Sequence, residues 1–407
     1  MIPRQLDQIT FADLEDLIEN QVREGKTLEY KRDFPAGDDD GVKKFLAGVS
    51  AMANTSGGDF LIGVEAKDGV AVAVSGIPLA NPDQEELRLE NWLRTGLEPR
   101  LPRCDIRSIP TGTSGNYVII VRVPQSWIAP HRVIHRGHDK FYGRNSAGKY
   151  PLDVSELRIA FNLSEQISDR IRNFRVERIA AVAGNEAPLP LMNKGKLLLH
   201  LIPLSAFTRR ESLDIAECYQ ARTQGISHLP VFGNSRGEAR LTLDGLLIYE
   251  LCNPLVAERY TFLFRSGILE AVMTFHPNSE EESVPSEEYE RDLLQTLPEY
   301  LRYLRGVNVE PPLYLFLTLT NLKGYQLAIA PDLAWDYALD ATVKIAKNII
   351  ELPEVILETL DVADATPILL PLFDLIWNAF GHLRSFNFDQ NGKWTGQRPK
   401  HNTNHEQ

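Results

Sequence analysis

The sequence predicts an α+β protein of two domains, and three observations predict it. At 407 residues the chain exceeds what one ordinary core accommodates. Its first 175 residues mix amphipathic helical stripes with short apolar strand-like runs. Its second half carries strand-like runs separated by turn signals, in the manner of an antiparallel meander. Hydrophobic content of 43% and charged content of 24% fit a soluble globular protein.

The elements follow in order. Thr10 and Asp13 open a helix whose stripe is Phe11, Leu14, Leu17, Ile18 and Val22, and Gly25 stops it. Thr27 to Lys31 alternates as a strand, Leu28 and Tyr30 on one face, Glu29 and Lys31 on the other. A helix over Val42–Ala53 presents Val42, Phe45, Leu46, Val49 and Met52 and ends in Asn54-Thr55-Ser56-Gly57-Gly58. The run Phe60–Val64 is apolar enough for a strand buried on both faces. Strands over Val70–Val74, around Ile106 and over Tyr117–Val123 follow, with a helix opened by Asn81-Pro82-Asp83 and carrying Leu87, Trp92 and Leu93. A helix from Val154 to Phe174 closes a first domain over 1–175. A second domain, 194–393, offers strands at Leu197–Ile202, Arg240–Glu250 and Tyr260–Phe275, with turns at Asn253-Pro254 and Ser266-Gly267. Helices at Ser286–Leu304 and Pro367–Phe380 follow, and a polar tail over 394–407 reads as disordered.

Charge divides the chain. The net charge is −12, yet Arg94 to Tyr150 holds ten Lys or Arg against three acids, while beyond Val176 twenty basic residues face thirty acidic ones. Such asymmetry suggests different partners for the two halves. Cys104, Cys218 and Cys252 are scattered and lack metal-ligand spacing, which fits a reducing compartment and a cytoplasmic protein. The chain shows no membrane-spanning apolar run and no signal-peptide pattern at its start.

The segment EGKTLEYKRDF sets Glu24 and Glu29 five residues apart, with Lys31 beside the second. Two readings stand. They are surface acids paired with Arg23, Lys26 or Arg32, or they are ligands of a hard cation that takes carboxylate oxygens. At the end of the predicted helix the macrodipole disfavours Glu24 unless a cation is near.

Taken in order, Glu24-x4-Glu29-Tyr30-Lys31, Ala53-Asn54-Thr55-Ser56-Gly57-Gly58, Leu61-Ile62-Gly63-Val64-Glu65 and Phe141-Tyr142-Gly143-Arg144-Asn145-Ser146 resemble the Schlafen AlbA-like (divergent AlbA) domain over residues 10–165. The resemblance implies nucleic-acid binding. In members that hold three carboxylates and a divalent metal it implies endoribonuclease activity on structured RNA, tRNA especially. It assigns the cation, Mg²⁺ or Mn²⁺, to Glu24, Glu29 and Glu65, with Lys31 assisting catalysis. Active members commonly carry paired aspartates at the third position. Here the segment reads Glu65-Ala66-Lys67-Asp68, with Asp68 as the fallback ligand or a simple turn with Gly69. The alternative function is a non-catalytic DNA- or RNA-binding regulator.

Arg132, Arg136, Lys140, Arg144 and Lys149 are expected to hold the phosphate backbone. Gly143 to Lys149 has P-loop spacing, but Tyr150 replaces the Ser or Thr that binds Mg²⁺ and Pro151 delays the helix, so nucleotide (ATP) binding is the weakest reading. His131, His135 and His138 have no cysteine to complete a zinc site and are expected to be phosphate-facing polar surface. The Glu-x4-Glu pattern occurs once, whereas longer Schlafen proteins carry two lobes that clamp RNA. A homodimer joined through the second domain is therefore expected, with the acidic second domain also open to a protein partner.

Overall fold

The structure, a computed structural model, describes residues 1–396 apart from residues 5, 127, 209–211, 234–236, 277–281 and 338. The chain divides into two compact units, Met1–Ser168 and Asp169–Gln407. The division falls inside a helix, Val154–Ala183. Both units mix helices with largely antiparallel sheets, so the architecture is α+β.

In the first unit, helix α1 (Phe11–Glu19) begins with the capping box of Thr10 and Asp13 and buries Leu14 and Leu17. It ends a turn earlier than expected. Gln21 takes φ 49°, and the chain then runs extended, with the Ala71 N–H bonding the Val22 carbonyl and the Glu24 N–H bonding the Gly69 carbonyl. Glu24 therefore lies outside the helix, and the macrodipole has no hold on it. Strand β1 (Leu28–Lys31) pairs in parallel with β2 (Gly58–Ile62), joined by α2 (Asp39–Ala53), whose N-cap Asp38 accepts from Gly41 N. A hairpin of β3 (Glu65–Lys67) and β4 (Val70–Ala73) turns at Asp68 and Gly69, both at positive φ. After β5 (Ile77–Pro78), Asn81 caps α3 (Pro82–Gly96), which runs into β6 (Leu97–Glu98). Strands β7 (Asp105–Pro110) and β8 (Asn116–Val123) complete a sheet ordered β1-β2-β8-β5, with β7 also on β8.

Alternation along these strands feeds two cores. Phe60, Ile62, Ile119 and Val121 pack under α2, while Leu28, Tyr30, Leu61, Val118 and Ile120 pack with α1. This is why β2 reads as a continuous apolar run: both of its faces are covered. A smaller sheet, β11-β10-β9-β6, adds β9 (Arg132–Val133), β10 (Lys140–Asn145) and β11 (Gly148–Pro151), and α4 (Val154–Ala183) follows.

The second unit is built on one antiparallel sheet ordered β13-β14-β15-β16-β12-β18-β20, with β21 also on β18. In chain order these are β12 (Lys196–Pro203), β13 (Glu238–Leu241), β14 (Gly245–Asn253), β15 (Val256–Phe264), β16 (Leu269–Thr274), a short β17 (Ser283–Pro285), β18 (Leu313–Thr320), β19 (Gln326–Ala328), β20 (Ile349–Glu351) and β21 (Val355–Leu357). The meander is present as β13 to β16. The sequence reading missed β18, a fully buried run next to β12. The helices Ser286–Gly306 and Thr366–Ala379 cover one face of the sheet, and Ile179 and Val182 of α4 pack on the other. The expected disorder does not begin at Trp394, which bridges to Phe388 while Thr395 N bonds the Asn387 carbonyl; the rest of that expectation, residues 397–407, lies outside the described residues. Among the described residues no helix is long and apolar enough to cross a membrane.

Candidate nucleic-acid interface

The alternation of β1 turns Tyr30 into the core and sends Glu29 and Lys31 to the α2 face, where Lys31 lies over the Phe60 ring. Glu29 is held from both sides. One oxygen lies 2.6 Å from Lys31 Nζ and the other 2.5 Å from Arg144. Arg144 is buried, and its other N–H groups donate to the carbonyls of Gly25 at 2.8 Å and Leu28 at 3.0 Å. Burial pushes the Glu29 carboxyl up, but the hydrogen bond and charge of Lys31, with those of Arg144, outweigh it and hold it below its usual value. Lys149, opposite Arg144 in the β10–β11 hairpin, donates to the Lys44 carbonyl at 2.7 Å. Burial lowers its pKa, Glu29 raises it, and Lys31, Arg144 and Lys44 lower it further. Three cations, Lys31, Arg144 and Lys149, thus surround one carboxylate, while Lys44 beside them is paired with Asp40 at 2.7 Å.

Asn54 fastens this face together. Its Nδ2 donates to the His131 carbonyl at 3.0 Å and the Tyr142 carbonyl at 2.9 Å, and its Oδ1 accepts from His131 N at 2.6 Å. One amide at the end of α2 therefore serves both His131, the residue before β9, and Tyr142 of β10. Gly57, at φ 68°, lets the chain reverse after the helix, where a Cβ would come within 2.7 Å of Val123 and Gln125 backbone atoms.

The three expected metal ligands have separate partners. Glu24 accepts from Tyr30 N at 2.7 Å, and Tyr30 is pushed up to about 12 by burial and by the Glu24 charge. Glu29 sits between Lys31 and Arg144. Glu65 accepts from Ser75 Oγ at 2.9 Å and lies 3.3 Å from Arg32 Nε. Asp68 occupies the hairpin turn. Among the described residues no group of three His, Cys, Asp or Glu side chains could hold a metal ion. In this arrangement the carboxylates do not fit a shared Mg²⁺ or Mn²⁺, which needs several oxygens converging on one point.

The expected phosphate contacts divide as well. Lys140 is exposed on β10, and Lys149 belongs to the cluster around Glu29. Arg136 is exposed but paired with Asp39 at 3.0 Å, and Arg132 is paired with Glu98 and with Asp139 at 3.1 Å. Arg144 corrects the expectation: its guanidinium is buried, ion-paired with Glu29 and bonded to the Gly25 and Leu28 carbonyls, so it organises the face from beneath. Two further arginines of the basic segment are structural. Arg122 forms a buried pair with Asp59, and Arg107 donates to the carbonyls of Leu6 and Ile9. The exposed positive charge is therefore smaller than the +7 of the segment.

The histidines are not a phosphate-facing row. His131 is fully buried with Nδ1 2.6 Å from the Pro99 carbonyl, and burial lowers its pKa. His138 stacks on Tyr142 and is lowered by burial, Lys43 and Lys140. The P-loop-like spacing is the β10–β11 hairpin, with Asn145 paired to Gly148, and β11 runs on to Pro151 before α4 begins at Val154, whereas a P-loop opens directly into its helix. Sequence reasoning missed Lys43 and Lys44, adjacent on α2 and outside its apolar stripe. Their adjacency opposite the apolar stripe was the available signal.

The family described as Schlafen, AlbA_2 matches residues 24–153. No curated protein matches the chain. Among solved structures, the DIP2311 protein from Corynebacterium diphtheriae is similar at 19% identity and a TM-score of 0.25, over 36% of this chain and 27% of its own length, a likeness too slight to carry an argument. The matched segment contains β1, the Asn54 clamp and the β10–β11 hairpin, and it ends where α4 begins. Residues 24–153 form a Schlafen AlbA-like domain, a family whose function is related to nucleic acids.

Proposed function

We propose that this domain binds nucleic acid through its phosphates, on the face shared by α2, β1 and the β10–β11 hairpin. The observation that carries the reading is Glu29 among Lys31, Arg144 and Lys149, a cluster with more cations than one carboxylate neutralises, bordered by Lys44 in an exposed pair with Asp40. Lys43 and Lys140, both acting on His138, extend it. Contacts of this kind position a backbone without reading its sequence, which suits structured RNA such as tRNA recognised by shape. Labelled tRNA and single-stranded DNA titrated at several salt concentrations test it. Replacing Lys31, Lys44 and Lys149 with Ala should weaken binding to either and flatten the salt dependence by about 0.7 to 0.9 log units for each phosphate no longer neutralised. Unchanged affinity and slope overturn the assignment.

Metal-dependent endoribonuclease action is the second reading, favoured by Glu24, whose carboxylate rests on the N–H of Tyr30, the residue after Glu29. It requires Glu24, Glu29 and Glu65 to leave Tyr30, Arg144 and Arg32 and to gather on Mg²⁺ or Mn²⁺ beside Lys31. RNA that is cut with Mn²⁺ and stays intact with chelator would support it. Cytoplasmic action is part of the proposal, consistent with three free cysteines. So is a homodimer joined through the acidic second unit, which would set two binding faces around one RNA and could also recruit a protein partner. Light scattering decides the assembly, and a monomer binding one RNA per chain excludes the clamp.

A further inference from the structure

On the α4 face of the large sheet, Lys196 pairs directly with Thr274 on β16 and with Thr320 on β18. Directly opposed residues of antiparallel strands project to the same face, so the three form one cross-strand row. All are buried, at 2%, 2% and 0% exposure. Lys196 Nζ donates to the Lys194 carbonyl at 3.0 Å, leaving two of its N–H bonds for another acceptor. Among the described residues, the buried hydroxyls of Thr274 and Thr320 have no hydrogen-bond partner. Glu270, on the same face of β16, stands four residues from Thr274, about 13 Å by strand rise. It is already engaged by Arg178, His200 and Tyr260. Glu258 is committed to Arg259 at 2.6 Å. Burial pushes the Lys196 ammonium down to about 8, so it still carries its charge at neutral pH.

We propose that Lys196, Thr274 and Thr320 form a binding site for a small oxyanion, a carboxylate or a phosphate group. A buried cation with two hydroxyls lacking partners is an unfavourable arrangement by itself, because the hydroxyls have lost water without gaining a partner and the ammonium keeps a single neutral acceptor. An oxyanion accepts from all three at once and balances the charge, whereas a metal cation is repelled. The second unit thereby acquires a ligand of its own, independent of the nucleic-acid face.

The full-length protein tests this by thermal unfolding with inorganic phosphate or acetate at constant ionic strength. The wild-type Tm should rise saturably with at least one of the two anions. Phosphate alone assigns a phosphorylated ligand, and acetate alone assigns a carboxylate. Lys196→Met removes the charge and should fold at least as stably, yet lose the saturable rise. The double variant Thr274→Val/Thr320→Val keeps the lysine and the side-chain volumes and should weaken the apparent affinity about tenfold or more. Absence of a saturable rise with both anions, or an equal rise in Lys196→Met, overturns the site.

Discussion

Glu29 and Arg144 meet at 2.5 Å, with the arginine fixed beneath by the carbonyls of Gly25 and Leu28. The carboxylate is thereby built into the fold as the counter-ion of a cation cluster. Arg144 joins the β10–β11 hairpin to the turn that precedes β1, and the exposed lysines stand around that junction.

Substituting Glu29→Gln should strengthen nucleic-acid binding. Lys31 then loses its internal partner and becomes available to a phosphate, which should steepen the salt dependence by up to about 0.9 log units for that one phosphate. Fluorescence anisotropy across a salt series reads both quantities. Weaker binding in this variant would count against the counter-ion role and favour metal ligation.

For Arg144→Ala a stability loss of about 3 to 5 kcal/mol is expected, because a partly buried carboxylate and two carbonyls lose their partner together. Arg144→Lys should recover little of it, since a single ammonium cannot reach three acceptors in fork geometry. Urea denaturation measures the change, and a loss below about 1 kcal/mol would contradict the clasp.

Asn54→Ala strips the His131 N–H and the Tyr142 carbonyl of their Asn54 partner and leaves the His131 carbonyl to Ser50 Oγ, so about 2 to 4 kcal/mol should be lost. Asn54→Asp should do no better, because a carboxylate offers no donor to the carbonyls of His131 and Tyr142. Near-wild-type denaturation midpoints for either variant would show that β9 and β10 hold without the clamp.

Glu290 supplies a pH prediction. Its fully buried carboxyl accepts from Trp377 Nε1 at 2.8 Å, from Ser385 and Asn387 at 2.9 Å each and from Tyr289 at 3.4 Å. Burial pushes its pKa up to about 7 despite those bonds. The folded state therefore binds the proton more tightly than the unfolded chain between the ordinary value of 4.5 and about 7. Its contribution to stability should fall as pH rises through that window, by on the order of 3 kcal/mol. Denaturation midpoints between pH 4 and pH 8 should lose this dependence in Glu290→Gln. An identical pH profile in the variant would rule out Glu290 as the group responsible.

Local periodicity by itself determined much of the unit that carries the site. The capping box at Thr10, the stripe of α2, the two-faced burial of β2 and the alternation placing Glu29 and Lys31 together depend on neighbours a few residues apart. Ordered motifs were likewise sufficient for the Schlafen AlbA-like domain. Only the tertiary structure decided which charges are free. Arg107, Arg122 and Arg144 look in the sequence like the exposed Lys140, yet each is taken up by a partner far away in the chain: Leu6 and Ile9, Asp59, and Glu29 with the Gly25–Leu28 turn. The same holds for the separation of Glu24, Glu29 and Glu65, and for the row of Lys196, Thr274 and Thr320, which three non-consecutive strands bring together. Whether a charge meets water, a carbonyl or a carboxylate is set by strand register and helix docking, which local spacing does not encode.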